Sequence, residues 1–215
     1  MDFHTQNVKL ATKDTTYQTW NVLSRYSSAN DEMTGHVDFN FGTPHWGILT
    51  SLSYSNYDDL EMGNHDHPEY RRMQYVERIN GRDSIVSNPH PDIQIPSGYN
   101  QFNLMQKLRY RPGSNFNLSY GFHWSTTSNI PRYDRLIQKK DGSLKNAQWY
   151  YGPQKWMMHV VNGKLSRAGK LFDNLQFTLA YQEYQESRHD RGYREEWIRH
   201  RTEKVQALSF NVNFD

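Results

Sequence analysis

The stretch FNLSYGFHWS (116–125) puts Phe116, Leu118, Tyr120, Phe122 and Trp124 on every second position, with Asn117, Ser119, Gly121, His123 and Ser125 between them. Side chains of a strand alternate between its two faces. One face of this segment is therefore apolar and aromatic, the other small and polar. In a soluble sandwich the apolar face would be core; in an outer-membrane barrel it would meet lipid, with the polar face lining a wet interior. Which solvent touches each face decides the fold.

The same alternation recurs outward in both directions. It places Val37, Phe39 and Phe41 together, then Ile48, Thr50, Leu52 and Tyr54, then Phe102, Leu104, Leu108 and Tyr110. Further on it groups Leu175, Phe177, Leu179 and Tyr181, and finally Leu208, Phe210, Val212 and Phe214. Weaker strands are expected over 17–28 and 156–166. SANDE (28–32), GTPHWG (42–47), RPGSN (111–115) and RAGKLFDN (167–174) read as short links. Long polar links are expected over 58–97, 127–153 and SRHDRGYREEWIRHR (187–201). After the first hairpin, long and short links alternate. Antiparallel neighbours put alternate connections at opposite ends, so the long links share one rim. The expected fold is all-β: an antiparallel transmembrane β-barrel segment of about eight long meander strands, with long extracellular loops and short periplasmic turns. Segments of about 10–13 residues, tilted near 40°, would project over roughly 25–33 Å. Tyr54, Tyr57, Tyr99, Tyr110, Trp124, Trp156 and Tyr181 lie towards strand ends and are expected to form an aromatic girdle.

Composition agrees. Only 35% of the 215 residues are hydrophobic, thin for a soluble core but suited to a barrel with wet loops and interior. Mean hydropathy of −0.97 and short apolar runs leave no room for a transmembrane helix. A net charge of +2 gives no reason to expect nucleic acid. The lack of Cys fits an oxidising envelope compartment. MDFHTQNVKL lacks the pattern of a signal peptide and LSFNVNFD stops inside an alternating strand, so the chain reads as an internal piece of a longer protein.

Four stretches carry a family resemblance: MDFHT (1–5), TSLSYSNYDDLEMG (50–63), NIPRYDRL (129–136) and WYYGPQKW (149–156). The chain resembles TonB-dependent receptors of the Bacteroidota type. The resemblance implies that residues 1–16 are the end of the plug domain and its linker, and that 17–215 are part of the β-barrel. About eight strands would be present out of roughly twenty-two. It implies an outer-membrane location, with outer-membrane lipid and lipopolysaccharide as surroundings. The implied partners are a nutrient ligand and the TonB energy-coupling complex, the latter reached through plug sequence that this chain lacks. The implied function is active import of an iron-siderophore, haem, a vitamin or an oligosaccharide. A complete eight-stranded barrel acting as adhesin or structural protein is the alternative, and a soluble glycan-binding sandwich a third.

No GxSxG, HExxH, phosphate loop or Cys nucleophile is present, so no catalytic residue and no cofactor is expected. Glu195 and Glu196 sit in a charged loop with no pocket expected around them. His65, Asp66 and His67 with Glu69 have the chemistry of metal ligands, but read better as an ordinary polar loop, and no metal site is expected. Arg132, Tyr133, Arg135, Trp149 and Tyr150 are the candidate ligand-binding residues, because Arg and aromatics dominate binding energy. The competing reading gives Pro131, Gly152 and Pro153 the loop's exit angles and leaves the rings as interface anchors. In the segment 187–201 five arginines would suit lipopolysaccharide phosphates or an anionic ligand, but interleaved acids favour a self-satisfied, solvated loop. Lys107 and Arg109 share the polar face with Asn103, where hydration is expected rather than pairing.

Overall fold

The computed structural model describes residues 5–12, 14–63, 68–166 and 173–214. The alternating segments are strands. β1 (Tyr17–Ser27), β2 (Glu32–Gly42) and β3 (Trp46–Tyr57) open an antiparallel meander. The first long link carries a small hairpin, β4 (Gln74–Ile79) and β5 (Arg82–Ser87). β6 (Tyr99–Tyr110) and β7 (Phe116–Thr127) follow. The second long link holds β8 (Ile130–Pro131), one helical turn α1 (Tyr133–Leu136), β9 (Lys139–Lys140), β10 (Ser143–Leu144) and β11 (Asn146–Tyr151). β12 (Lys155–Ser166), β13 (Asn174–Gly192) and β14 (Arg199–Phe214) complete the chain.

One 10-stranded sheet runs β1-β2-β3-β6-β7-β12-β13, with β14 also on β13 and with β11 and β8 beyond. β12 and β14 pair with the same residues of β13, so they occupy its opposite edges. β11 pairs with Arg188–Gly192 of β13, further along the edge that β12 uses. β1 and β14 are not paired with each other, and the sheet does not close. The turns 43–45 and 111–115 lie at one rim, while 58–98 and 128–154 leave the opposite one. The hairpins in the links are set by Asn80-Gly81 and Asp141-Gly142, all four at positive φ, as a two-residue hairpin turn requires.

One expected loop is not a loop. Most of 187–201 belongs to strands, because β13 has 19 residues and β14 has 16, and their ladder continues through Arg188↔Arg201 to Asp190↔Arg199. Opposite charges interleave across that ladder: Arg188 meets Glu203 at 3.0 Å, and Arg201 meets Asp190 at 3.2 Å. Cross-strand ion pairs hold the charged run extended, where composition alone suggested coil.

Register separates the faces. Asp38↔Ser51, Ser51↔Met105 and Met105↔His123 are direct partners, so they share one face with Asn40, Lys107 and Ser119. Phe39, Leu52, Leu104 and Trp124 fall on the other. The rule exposes a misassignment among the expected girdle residues. Tyr54, Tyr110, Trp124 and Tyr181 lie on the apolar face, whereas Tyr57, Tyr99 and Trp156 lie on the polar one. Nearness to a strand end does not choose a face; parity does.

Among the described residues, the buried hydrophobics are Val8, Ala11, Leu49, Leu136 and Leu144, too few to make a central core. No described residue covers the apolar face: Trp20, Met33, Tyr54, Leu179 and Phe210 are 43–69% exposed. Rings on it pack against one another across strands, as in Trp20–Phe39 at 4.0 Å and Trp46–Tyr110 at 4.2 Å between centroids. His159, also on this face, is met by the Tyr120 hydroxyl at 2.7 Å, so its ring nitrogen is not left unpaired among hydrocarbon groups.

Candidate functional site

The polar face is occupied at the rim of the short turns. Residues 5–12 cross it from β6 to the β2–β3 turn. Lys107 Nζ donates to Thr5 Oγ1 (2.7 Å) and to the Gln6 carbonyl (2.8 Å). Arg109 Nη1 donates to the Val8 carbonyl at 2.9 Å. Asn40 uses both ends of its amide: Oδ1 accepts from Lys9 N, and Nδ2 donates to Lys9 O, each at 2.9 Å. The Ala11 amide donates to Thr43 O at 3.2 Å. The expected hydration of Lys107 and Arg109 is thus replaced by bonds to backbone carbonyls. Gly42 and Gly47 make the passage possible, since a Cβ on Gly42 would sit 2.3 Å from Lys9 O and one on Gly47 2.5 Å from Val8 Cγ1. Beside this segment a cavity of about 420 Å³ is bordered by Lys107, Gly121, His123, Trp156 and Met158.

Towards the other rim the polar face becomes aromatic. Tyr57 stacks on Tyr99 at 4.7 Å, and Trp156 lies 6.0 Å from His123 and donates from Nε1 to Gln182. Tyr99, Trp156 and Tyr184 border a hollow of about 170 Å³ with Gln101, Ser125 and Gln154. These rings were missed as site residues. The signal was available in the parity of Tyr99 with Gln101 and Asn103, and of Trp156 with Met158 and Asn162.

The candidate residues of the second long link come together beyond that rim. Arg132 grips Asp134 with two bonds (2.7 and 2.8 Å) and reaches the Tyr151 hydroxyl with Nη1 at 2.8 Å. Its guanidinium lies over Trp149 and Tyr151, at 5.2 and 5.3 Å. The Asp134 bonds raise its pKa, with smaller help from Tyr151. Arg135 lies 3.6 Å from Asp134. Tyr150 stacks flat on His189 at 4.6 Å, on the other side of the link. Tyr133 lies under Arg72. Arg132 and Trp149 are therefore the hub of the link, and its neck closes where Gly152 meets Asn129 too tightly for any Cβ. Of the five candidate residues, Arg132 and Trp149 are in contact with each other, Arg135 is exposed, and Tyr133 and Tyr150 lie against Arg72 and His189.

A second fastening joins the links. Asp83 at the β4–β5 hairpin takes both Nη atoms of Arg191 (2.6 and 2.9 Å) and the Arg194 amide (2.9 Å). The two side chains are 1% and 5% exposed. Bonds from Arg191, followed by the Arg194 amide and the charges of Arg191 and Arg78, hold the Asp83 carboxyl below the usual carboxylate range. Glu195 and Glu196, expected away from any pocket, border a hollow with Arg78, Arg82 and Arg194. His65, Asp66 and His67 lie outside the described residues, among which no cluster of three metal-ligating side chains occurs. No family model, curated protein or solved structure matches the chain.

Proposed function

We propose that the chain is the barrel portion of an outer-membrane TonB-dependent receptor that captures and imports a scarce nutrient. The observation that carries the reading is the uncovered apolar face, spread over a sheet whose two long links leave one rim. Strands of 11 and 12 residues, at ~3.3 Å per residue and a tilt near 40°, cover roughly 28–30 Å, enough for the outer membrane's apolar band. A soluble sandwich would need a second layer over the exposed rings. Residues 5–12, bound to the polar face at the short-turn rim, take the place that the end of a plug would take inside a barrel. In this reading lipid and lipopolysaccharide surround the wall and the long links face outwards to catch the ligand. The TonB complex acts on the plug from the periplasm. β1 and β14 are the edges at which further barrel strands would add.

One observation favours the complete small barrel: β1 and β14 run antiparallel, with Tyr17 and Phe214 at the same rim, so they have the right sense to pair. Single cysteines decide orientation, because the chain has no Cys of its own. In intact cells an impermeant maleimide should label Asp141→Cys in the second long link, and Ser114→Cys only after permeabilisation. Equal labelling of both without permeabilisation, or of neither afterwards, defeats the membrane assignment.

A further inference from the structure

Arg72 lies in the first long link and is 3% exposed. Its Nε and Nη1 are buried and donate to no acceptor among the described residues. The other buried or half-buried guanidinium groups nearby have acceptors: Arg132 has Asp134 and Tyr151, and Arg191 has Asp83 and the Glu195 carbonyl. Arg188 also has a buried, unbonded Nε, but its Nη2 faces Glu186 and Glu203 at 3.4 and 3.0 Å. Arg72 has only the Tyr133 ring beneath it, with Cζ 5.6 Å from the centroid. A guanidinium does not shed its proton, and a buried one without acceptors is strongly destabilising. Burial lowers its pKa, opposed by Tyr133, Asp59 and Tyr75.

The same side chain borders a cavity of about 250 Å³ between the two long links. Among the described residues, Arg71 and Lys139 line it as well, with Glu69 as the acid, while Met73, Ile137 and Leu144 give it an apolar wall. Arg71 already meets Asp92 at 3.1 Å. Net positive charge, an apolar wall and a planar fork of unfilled donors together suit a planar or tetrahedral oxyanion. We propose that this cavity binds the carboxylate or phosphate group of a small soluble ligand, with Arg72 supplying the donors. The proposal deepens the transport reading by giving the captured nutrient an anionic group.

The test uses the full chain in detergent micelles, with citrate, inorganic phosphate and lipopolysaccharide as separate probes in titration calorimetry and thermal unfolding. The parent chain should bind citrate or phosphate saturably, and its Tm should rise with their concentration. Arg72→Met should weaken that binding at least about tenfold while leaving the Tm without anion unchanged or higher, and Arg72→Lys should recover part of it. Three results would overturn the proposal: no saturable binding of either soluble anion, undiminished binding by Arg72→Met, or binding of lipopolysaccharide alone. A lower Tm for Arg72→Met, with no response to anions in the parent chain, would make the residue structural and overturn it as well. Binding in micelles does not depend on which way the chain faces in a cell, so it can fail or succeed independently of the cysteine labelling.

Discussion

Asn40 holds Lys9 as a neighbouring strand would, accepting and donating with one side chain. Replacing it by Ala removes both bonds to the Lys9 amide and carbonyl, which are only partly buried, a cost of about 1–2 kcal/mol. In Asn40→Ala the amides of residues 9–11 should exchange faster by the corresponding factor, while those of β6 and β7 stay protected. Hydrogen exchange read by mass spectrometry checks this. Asp83 is the matching case between the links. Asp83→Ala strands the Arg191 guanidinium in a buried position, and loosening the β4–β5 hairpin should cost about 3–5 kcal/mol. The pH response has a definite sign. Because the folded pKa of Asp83 lies below the ordinary value, near 3.9, its contribution is complete above that value and is lost as pH falls through the folded one. The hairpin should stay fastened at neutral pH and open only in acid below about pH 4, as monitored by proteolysis within residues 74–87; Asp83→Asn should abolish the transition.

At the scale of the element, strand parity makes a sharp prediction. Phe122 and Ser119 lie on the same strand β7 but on opposite faces. If lipid covers the apolar side, Phe122→Arg near mid-strand should cost roughly 2–4 kcal/mol in refolding into lipid vesicles, and Ser119→Arg far less. Equal penalties for the two would mean that both faces meet the same solvent. The same parity rule explains what the sequence reading got right and wrong within strands. Periodicity located every long strand, since hydrophobic alternation follows directly from the pleat. It misread 187–201, where the pattern that matters is charge across two strands rather than hydropathy along one. It also passed over Asn80-Gly81 and Asp141-Gly142, although each dipeptide signals a two-residue hairpin by its chemistry alone.

Among the described residues, the large sheet leaves β1 and the outer side of β14 unpaired. On β14, Leu208, Phe210 and Phe214 are 69–73% exposed, and on β1 Val22 is 79% exposed. Purified alone in detergent, the chain should associate through these edges and sediment as oligomers. A monomer whose gel mobility changes on heating would instead indicate closure of β1 on β14 and favour the small barrel. The interior space is likewise decided at this scale: the lower end of the polar face is filled by residues 5–12, and the upper end is left to rings and to the folded links.

By itself the sequence determined where the long strands run, the two long links after β3 and β7, and the division of each strand into an apolar and a polar side. These are local consequences of a two-residue period and of turn chemistry. Only the tertiary structure decided which partners the polar side would find. Lys107 and Arg109 meet backbone carbonyls about a hundred residues away in sequence, Asp83 finds Arg191, and Nε and Nη1 of Arg72 find no acceptor among the described residues. Such pairings depend on how the long links fold back on the sheet, and no periodicity along one strand carries that information.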